Sequence, residues 1–128
     1  MAELPLKASP GNRQGRRIRS AIHAWFEAEG LPEQTEADAG LIATELLSNA
    51  IAVSPIDAEI EIRLVSDDTG VLVETVNSGP GFDPRVLKRV ADDHLGGRGI
   101  AIASALGTVS VLQNGDRTTV RVFLPFLG

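Results

Sequence analysis

Apolar residues recur along this chain with two periods, and the switch between them marks out its elements. Ile18, Ala21, Ile22, Trp25 and Phe26 fall three and four residues apart, which predicts an amphipathic helix over 13–29 with that stripe inward. Ser9-Pro10-Gly11-Asn12 precedes it as a turn and helix start, and Gly30 is a natural stop. Leu41, Ile42, Leu46, Leu47, Ala50 and Ile51 predict a second helix over about 36–53, with a stripe wide enough to lie on a sheet. Thr35 is placed to cap it, with Asp38 three residues on as the acid of a capping box. Ser54-Pro55 ends it, because the residue before proline is pushed out of the helical region.

The period then drops to two. Over 58–64, Ile60, Ile62 and Leu64 alternate with charged residues, the pattern of a strand covered on one face. Asp67-Asp68-Thr69-Gly70 reads as a hairpin turn into a partner strand over 71–76. Residues 108–112 and 118–124 read as two more strands around an Asn114-Gly115 turn. Residues 3–8 read as a short edge strand limited by Pro5. Between these hairpins, 84–90 suits a short helix, and 100–106 suits a third helix that Gly107 ends. The order is β-α-α-β-β-lid-α-β-β. Strands joined by tight turns are antiparallel, so the predicted fold is α+β: a two-layer α/β sandwich with a mixed, mostly antiparallel sheet and helices on one face.

Composition narrows the function. A chain of 128 residues suits one domain over 1–128, long enough for a core without staples. It has no cysteine and only two histidines, which argues against disulfides and a zinc site. There is no signal-peptide pattern, and no apolar run approaches the ~18 residues that span a bilayer. The expectation is a cytoplasmic protein without membrane contact. The net charge of −5 argues against direct nucleic-acid binding. Arg13, Arg16, Arg17 and Arg19 nevertheless cluster ahead of Glu27, Glu29, Glu33, Glu36 and Asp38. They are either solvated helix faces or a basic patch for an acidic protein partner. Trp25, the only tryptophan, reads as core.

Three stretches carry candidate chemistry. Glu45 and Asn49 lie four apart on the second helix and share a face. They are either the solvent edge of its stripe or a functional pair. In the second case the carboxylate orients or deprotonates a nucleophile, and the neutral amide oxygen suits a hard cation such as Mg2+. Asn77-Ser78-Gly79-Pro80-Gly81-Phe82-Asp83 follows a strand-like run, and its glycines let backbone approach a partner closely. Gly96-Gly97-Arg98-Gly99 opens the third helix, where the glycines either serve steric needs or leave free N–H groups and the dipole to favour an anion, and Arg98 either contacts phosphate or is a surface side chain beside an acid such as Asp92.

Taken in order, E-x-x-x-N, x-x-G-x-G-F and G-x-G resemble the boxes of the GHKL ATPase superfamily with its Bergerat ATP-binding fold. The runs TELLSNAI, NSGPGFDP and GGRGIAI resemble its N, G1 and G2 boxes. Within it the chain is most similar to small bacterial anti-sigma-factor serine kinases and related histidine kinase-like ATP-binding regulators, over nearly its whole length. The resemblance implies ATP and Mg2+ as cofactors, with Glu45 as general base or orienting residue and Asn49 holding Mg2+. It implies that Asn77, Gly79 and Gly81 line the purine, that Gly97, Arg98 and Gly99 bind phosphates under a lid over roughly 84–95, and that Thr119 reaches the adenine edge. It also implies protein partners, a sigma factor and an anti-sigma factor antagonist, and a homodimer.

The chain departs from that pattern at four places. Asn77 stands where the family has an aspartate that accepts from the adenine amino group. A neutral hydrogen bond is worth ~0.5–1.5 kcal/mol against ~1.5–3 for a charge-assisted one, a difference of about tenfold in affinity. The amide NH2 can also donate to a guanine O6. Ala52-Val53-Ser54 replaces a basic residue or histidine after the N box, Asp116-Arg117 precedes the last threonines where a glycine is usual, and the lid is short. Two functions follow. One is an ATP-dependent kinase that phosphorylates a serine of the antagonist while sequestering a sigma factor. The other is a non-catalytic protein-binding module of the same fold with weak or no nucleotide binding.

Overall fold

The period-two stretches pair into one antiparallel sheet, and both period-four stretches lie on one of its faces. A computed structural model of the chain describes residues 1–9, 15–55, 57–78 and 107–126. Within them run β1 (Ala2–Ala8), α1 (Gly15–Glu29), α2 (Glu33–Val53), β2 (Ile60–Ser66), β3 (Gly70–Ser78), β4 (Thr108–Asn114) and β5 (Arg117–Pro125). The sheet order is β1-β2-β3-β5-β4, and every pairing among these strands is antiparallel. The two-layer α+β fold read from the sequence is therefore the observed one. The lid and the helix expected over 100–106 lie outside the described residues.

Alternation places the core. Ile60, Ile62 and Leu64 of β2, Val71 and Val73 of β3, and Val120, Val122 and Leu124 of β5 all face the helices and are buried. α2 packs mainly on β3, and α1 packs on α2 and β1. Ile18, Ile22, Trp25 and Phe26 form the inward stripe of α1. The Trp25 and Phe26 rings meet edge to face at 5.5 Å, so the tryptophan is core. Gly30 ends α1 at φ 63°: its N–H donates to Glu27 O and that of Leu31 to Phe26 O, a Schellman closure.

Helix α2 differs from expectation at its start. It begins at Glu33 after an extended Pro32, and the Glu36 N–H donates to the Pro32 carbonyl at 3.1 Å. Thr35 lies inside the first turn and is buried, so it is not the cap. Glu33 and Glu36 instead place carboxylates at the helix N-terminus, where the free N–H groups and dipole favour them. Glu36 also reaches across to α1: its Oε2 lies 2.8 Å from His23 Nδ1, while His23 Nε2 lies 3.3 Å from Glu27.

Both hairpins are set by their turns. Asp67 Oδ1 accepts from the Thr69 N–H and hydroxyl and from the Gly70 N–H, closing the β2–β3 turn. Gly70 pairs with Pro125, and a Cβ there would sit 2.2 Å from the Leu124 carbonyl oxygen. The β4–β5 turn sits one residue later than an Asn-Gly centre. Asn114 pairs with Arg117, and Gly115-Asp116 forms the loop, with Gly115 at φ 63°. Positive φ at the first central residue alone fits a type II′ turn. This register pairs Val109 with Val122 and Val111 with Val120. A turn centred on Asn114-Gly115 would have set Val111 against Thr118.

The outer face of the sheet is charged. Glu74 is buried there between Arg63, 3.3 Å away, and Arg121, which donates to it at 2.5 Å. Arg63 also lies 3.5 Å from Glu3, so the cluster ties β1, β2, β3 and β5 together.

Two outcomes follow from these contacts. Gly70→Ala forces backbone apart and should lose about 1–3 kcal/mol in urea unfolding, whereas Gly40→Ala, on α2 with nothing near its Cβ, should gain up to about 1 kcal/mol. The Glu36 hydrogen bond, followed by the Glu36 and Glu27 charges, raises the His23 pKa above 6.5. Its contribution is complete below that ordinary value and is lost as pH rises through the raised one. An NMR titration should show the raised midpoint, and Glu36→Gln should lower it.

Candidate functional site

The inner face of the sheet turns polar at one end. Along β3 the inward residues run Val71, Val73, Thr75, Asn77. Asn77 pairs with Ile60 on β2 and Thr118 on β5, and Thr118 pairs with Gln113 on β4. Asn77 and Thr118 are both buried. The Thr118 hydroxyl donates to Gln113 Oε1 at 2.9 Å, and Gln113 Nε2 donates to the Gly115 carbonyl. With its proton committed to Gln113, the Thr118 oxygen keeps lone pairs to accept from a third group.

Helix α2 adds Asn49. The connection over 54–59 runs from the end of α2 to Ile60, the residue paired with Asn77, so the last turns of α2 return to this end of the sheet. Asn49 is 4% exposed, and its Nδ2 has no hydrogen-bond partner among the described residues. An enclosed, unbonded amide group costs roughly 1–3 kcal/mol. That is a large penalty for a helix position that alanine would fill without one. Glu45, one turn earlier, is half-buried on the same edge of the helix. The spacing argument therefore places the pair together, and it is not a solvent-exposed edge. Glu45 also sits on the rim of a groove of about 470 Å³ with Arg19, Ile22, Glu36, Leu41 and Thr44. Neither Asn49, Asn77 nor Thr118 lines that groove, so it is separate from the polar end of the sheet.

Thr119 is corrected by the register. It pairs with Val76 and Leu112 and points to the outer face with Glu74 and Arg121, away from Asn77. The threonine on the side of Asn77 is Thr118. The signal was available in the sequence: Thr118 is in phase with Val120, Val122 and Leu124, and Thr119 with Arg117 and Arg121. Gly79, Gly81, Gly97, Arg98 and Gly99 lie outside the described residues.

The polar end suits a neutral, hydrogen-bonding ligand edge together with a hard cation. It offers amide and hydroxyl groups that both donate and accept. Among the described residues no three His, Asp or Glu side chains gather to hold a metal by themselves. A divalent cation here would take one amide oxygen from the chain and the rest from ligand oxygens and water, the habit of Mg2+ with phosphates. In that arrangement Asn49 Oδ1 would face the cation, and its Nδ2, a donor without a partner among the described residues, would meet a ligand oxygen.

No curated protein matches the sequence. Solved structures do match the fold. The histidine kinase domain of a blue-light-activated histidine kinase from Erythrobacter litoralis superposes with a TM-score of 0.60 at 19% identity, covering 87% of this chain and 64% of that one. The RsbU and RsbW domains of a Mycobacterium tuberculosis protein superpose with a TM-score of 0.66 at 16% identity, covering 100% of this chain and 34% of that one. The chain thus spans less than two-thirds of either neighbour. At these identities the likeness is one of fold. The family model for the histidine kinase-like ATPase domain matches residues 8–124, and with that match the chain belongs to the histidine kinase-like ATPase domain family, within the GHKL superfamily.

Proposed function

We propose that this chain binds Mg-ATP at the polar end of its sheet and acts as an anti-sigma-factor-like regulator. In this reading it phosphorylates a serine of an anti-sigma factor antagonist while holding a sigma factor, in the cytoplasm and as a homodimer. The observation that carries it is the enclosed Asn49, whose Nδ2 has no partner among the described residues, one helical turn from Glu45 in a family of ATPase domains. The RsbW neighbour supports the regulatory side of the reading.

Each residue has a role that its position allows. Asn49 holds Mg2+ through its amide oxygen. Bound Mg2+ supplies charge neutralisation between phosphate oxygens. Glu45 orients the attacking serine hydroxyl and accepts its proton. Asn77 and Thr118 contact the purine edge, Asn77 as donor or acceptor and Thr118 as acceptor. By the family resemblance alone, since they lie outside the described residues, Gly79 and Gly81 would let backbone close on the base, and Gly97, Arg98 and Gly99 would bind phosphates.

Asn77 favours a second reading, a non-catalytic module that binds its protein partner with little help from nucleotide. Isothermal titration with Mg-ATP separates the two. Micromolar binding is expected, tightened about tenfold in Asn77→Asp as a neutral bond becomes charge-assisted. Asn49→Ala should remove the magnesium dependence. Glu45→Ala should bind ATP normally yet fail to transfer phosphate to an antagonist recovered by copurification. No ATP binding by either wild type or Asn77→Asp would sink the kinase reading.

The register generates a separate expectation. Thr118→Val should weaken ATP by roughly three- to tenfold, the worth of one neutral hydrogen bond. Thr119→Val should leave affinity unchanged in the same titration. The reverse pattern would place the base on the other face of the sheet.

A further inference from the structure

The polar end of the sheet holds a hydrogen-bond chain whose direction is fixed. Gln113 Nε2 donates to the Gly115 carbonyl at 3.0 Å, and the Thr118 hydroxyl donates to Gln113 Oε1 at 2.9 Å. Carbonyl oxygens only accept. The Gly115 carbonyl therefore claims the NH2 end of the Gln113 amide and leaves the oxygen end for Thr118, and that oxygen in turn claims the hydroxyl proton. The register allows this chain: Gln113 pairs with Thr118, whereas a turn centred on Asn114-Gly115 would set it opposite Asp116. Gln113 is exposed and Thr118 is 1% exposed, so a buried hydroxyl is oriented by a side chain outside the core. Asn77, the ladder partner of Thr118 on β3, differs in kind, because its amide carries both an acceptor and a donor.

We propose that Gln113 sets the choice of base at this site. It holds Thr118 as an acceptor, so that the pocket takes a purine with an amino group at position 6 and rejects one with an oxygen there. This role rests on the reading that a purine edge lies against Asn77 and Thr118. Both N–H bonds of a planar amino group are satisfied at once by acceptors about 5 Å apart, the span of two bonds of roughly 2.9 Å at about 120°. Directly opposed cross-strand side chains stand ~4.5–5.5 Å apart at their Cβ atoms. Asn77 and Thr118 are such a pair. Asn77 Oδ1 on one N–H and Thr118 Oγ1 on the other bracket the group.

An oxo base reverses the demand. Asn77 can meet it with its NH2. Thr118 would have to withdraw its proton from Gln113, or set lone pair against lone pair. Forgoing one neutral hydrogen bond and opposing two acceptors costs about tenfold in affinity or more. Discrimination therefore falls to Thr118, and through it to Gln113, which acts as a positioning residue. A glutamine that only braced the β4–β5 turn would affect the thermal melt and leave base choice alone.

Isothermal titration with Mg-ATP and Mg-ITP tests it, since ITP carries hypoxanthine, the 6-oxo counterpart of adenine. Wild type should prefer ATP by about tenfold or more. Gln113→Met frees the Thr118 proton to donate to the oxo group, so ITP should tighten about tenfold while ATP changes less than about threefold. Gln113→Lys sets a donor against the Thr118 oxygen and should invert the preference. Gln113→Glu keeps an acceptor there and should keep the wild-type ratio. All three change an exposed side chain and should keep the wild-type circular dichroism. In a Thr118→Val background the same changes should leave the ratio where it stands. The two bases also differ at N1, but that difference is common to every variant and cancels when ratios are compared. A wild type that binds ATP and ITP equally overturns the role of Gln113 and leaves the ATP site standing. So does a ratio unmoved by both Gln113→Met and Gln113→Lys, or one that still shifts without the Thr118 hydroxyl. A wild type that binds neither nucleotide overturns the reading of the site, and the role of Gln113 with it.

Discussion

The register of β3 is the constraint on which the rest depends. Side chains alternate along a strand, so a slip of one residue would turn Val71, Val73, Thr75 and Asn77 to solvent and Glu74 into the core. The hydrophobic pattern forbids that slip strongly. It does not forbid a slip of two, which keeps every side chain on its face. Glu74 does. It is enclosed with Arg63 on β2 and Arg121 on β5, its direct partners across both ladders. A shift of two on either side would leave a buried carboxylate without its cation, the costly case for a buried charge. The inner face thus selects parity and the outer ion cluster selects register. Together they set Asn77 opposite Thr118.

That division explains what the sequence revealed and what it hid. The strict alternation around Ile60, Ile62 and Leu64 and the stripe of α1 were readable because burial of one face is a strong, periodic demand. Thr35 was misread because an N-terminus is a local competition. Pro32 and two first-turn carboxylates started the helix three residues early, and core packing then claimed the threonine. The β4–β5 turn was displaced by one residue because valine pairing along the ladder outweighed the Asn-Gly preference. Thr119 was chosen over its neighbour by motif likeness, when phase with Val120 and Val122 already pointed to Thr118. Helical spacing puts Glu45 and Asn49 one turn apart on α2, as observed, but spacing alone does not reveal that the asparagine is enclosed.

Asn49 is where local preference and global fold disagree. Asparagine is a weak helix former, and its amide is enclosed in the stripe that otherwise holds Leu46, Leu47 and Ala50. A sequence that obeys periodicity on both sides and breaks it at Asn49, with an Nδ2 unbonded among the described residues, gives up stability at that point. Such breaks are expected where a site must be kept ready for a ligand. Thr118 presents a milder version: its proton is spent on Gln113, yet its oxygen retains accepting capacity at the same end of the sheet.

The charge balance of this end then bears on Asn77. Asn49, Asn77, Thr118 and Gln113 are all neutral, while the carboxylates of the sheet sit on its outer face beside arginines. A carboxylate at position 77, 7% exposed, would be a buried charge with no cation beside it among the described residues. The amide is cheaper to enclose in the free protein. It also forgoes the charge-assisted bond that a carboxylate makes with an amino group of the ligand. Asparagine at 77 therefore moves free energy from the bound state to the free state. If a purine binds there as proposed, the pocket is easier to keep folded when empty, and less is gained when the purine enters. A regulator whose main business is a protein partner tolerates that exchange better than an enzyme that must hold its nucleotide for chemistry.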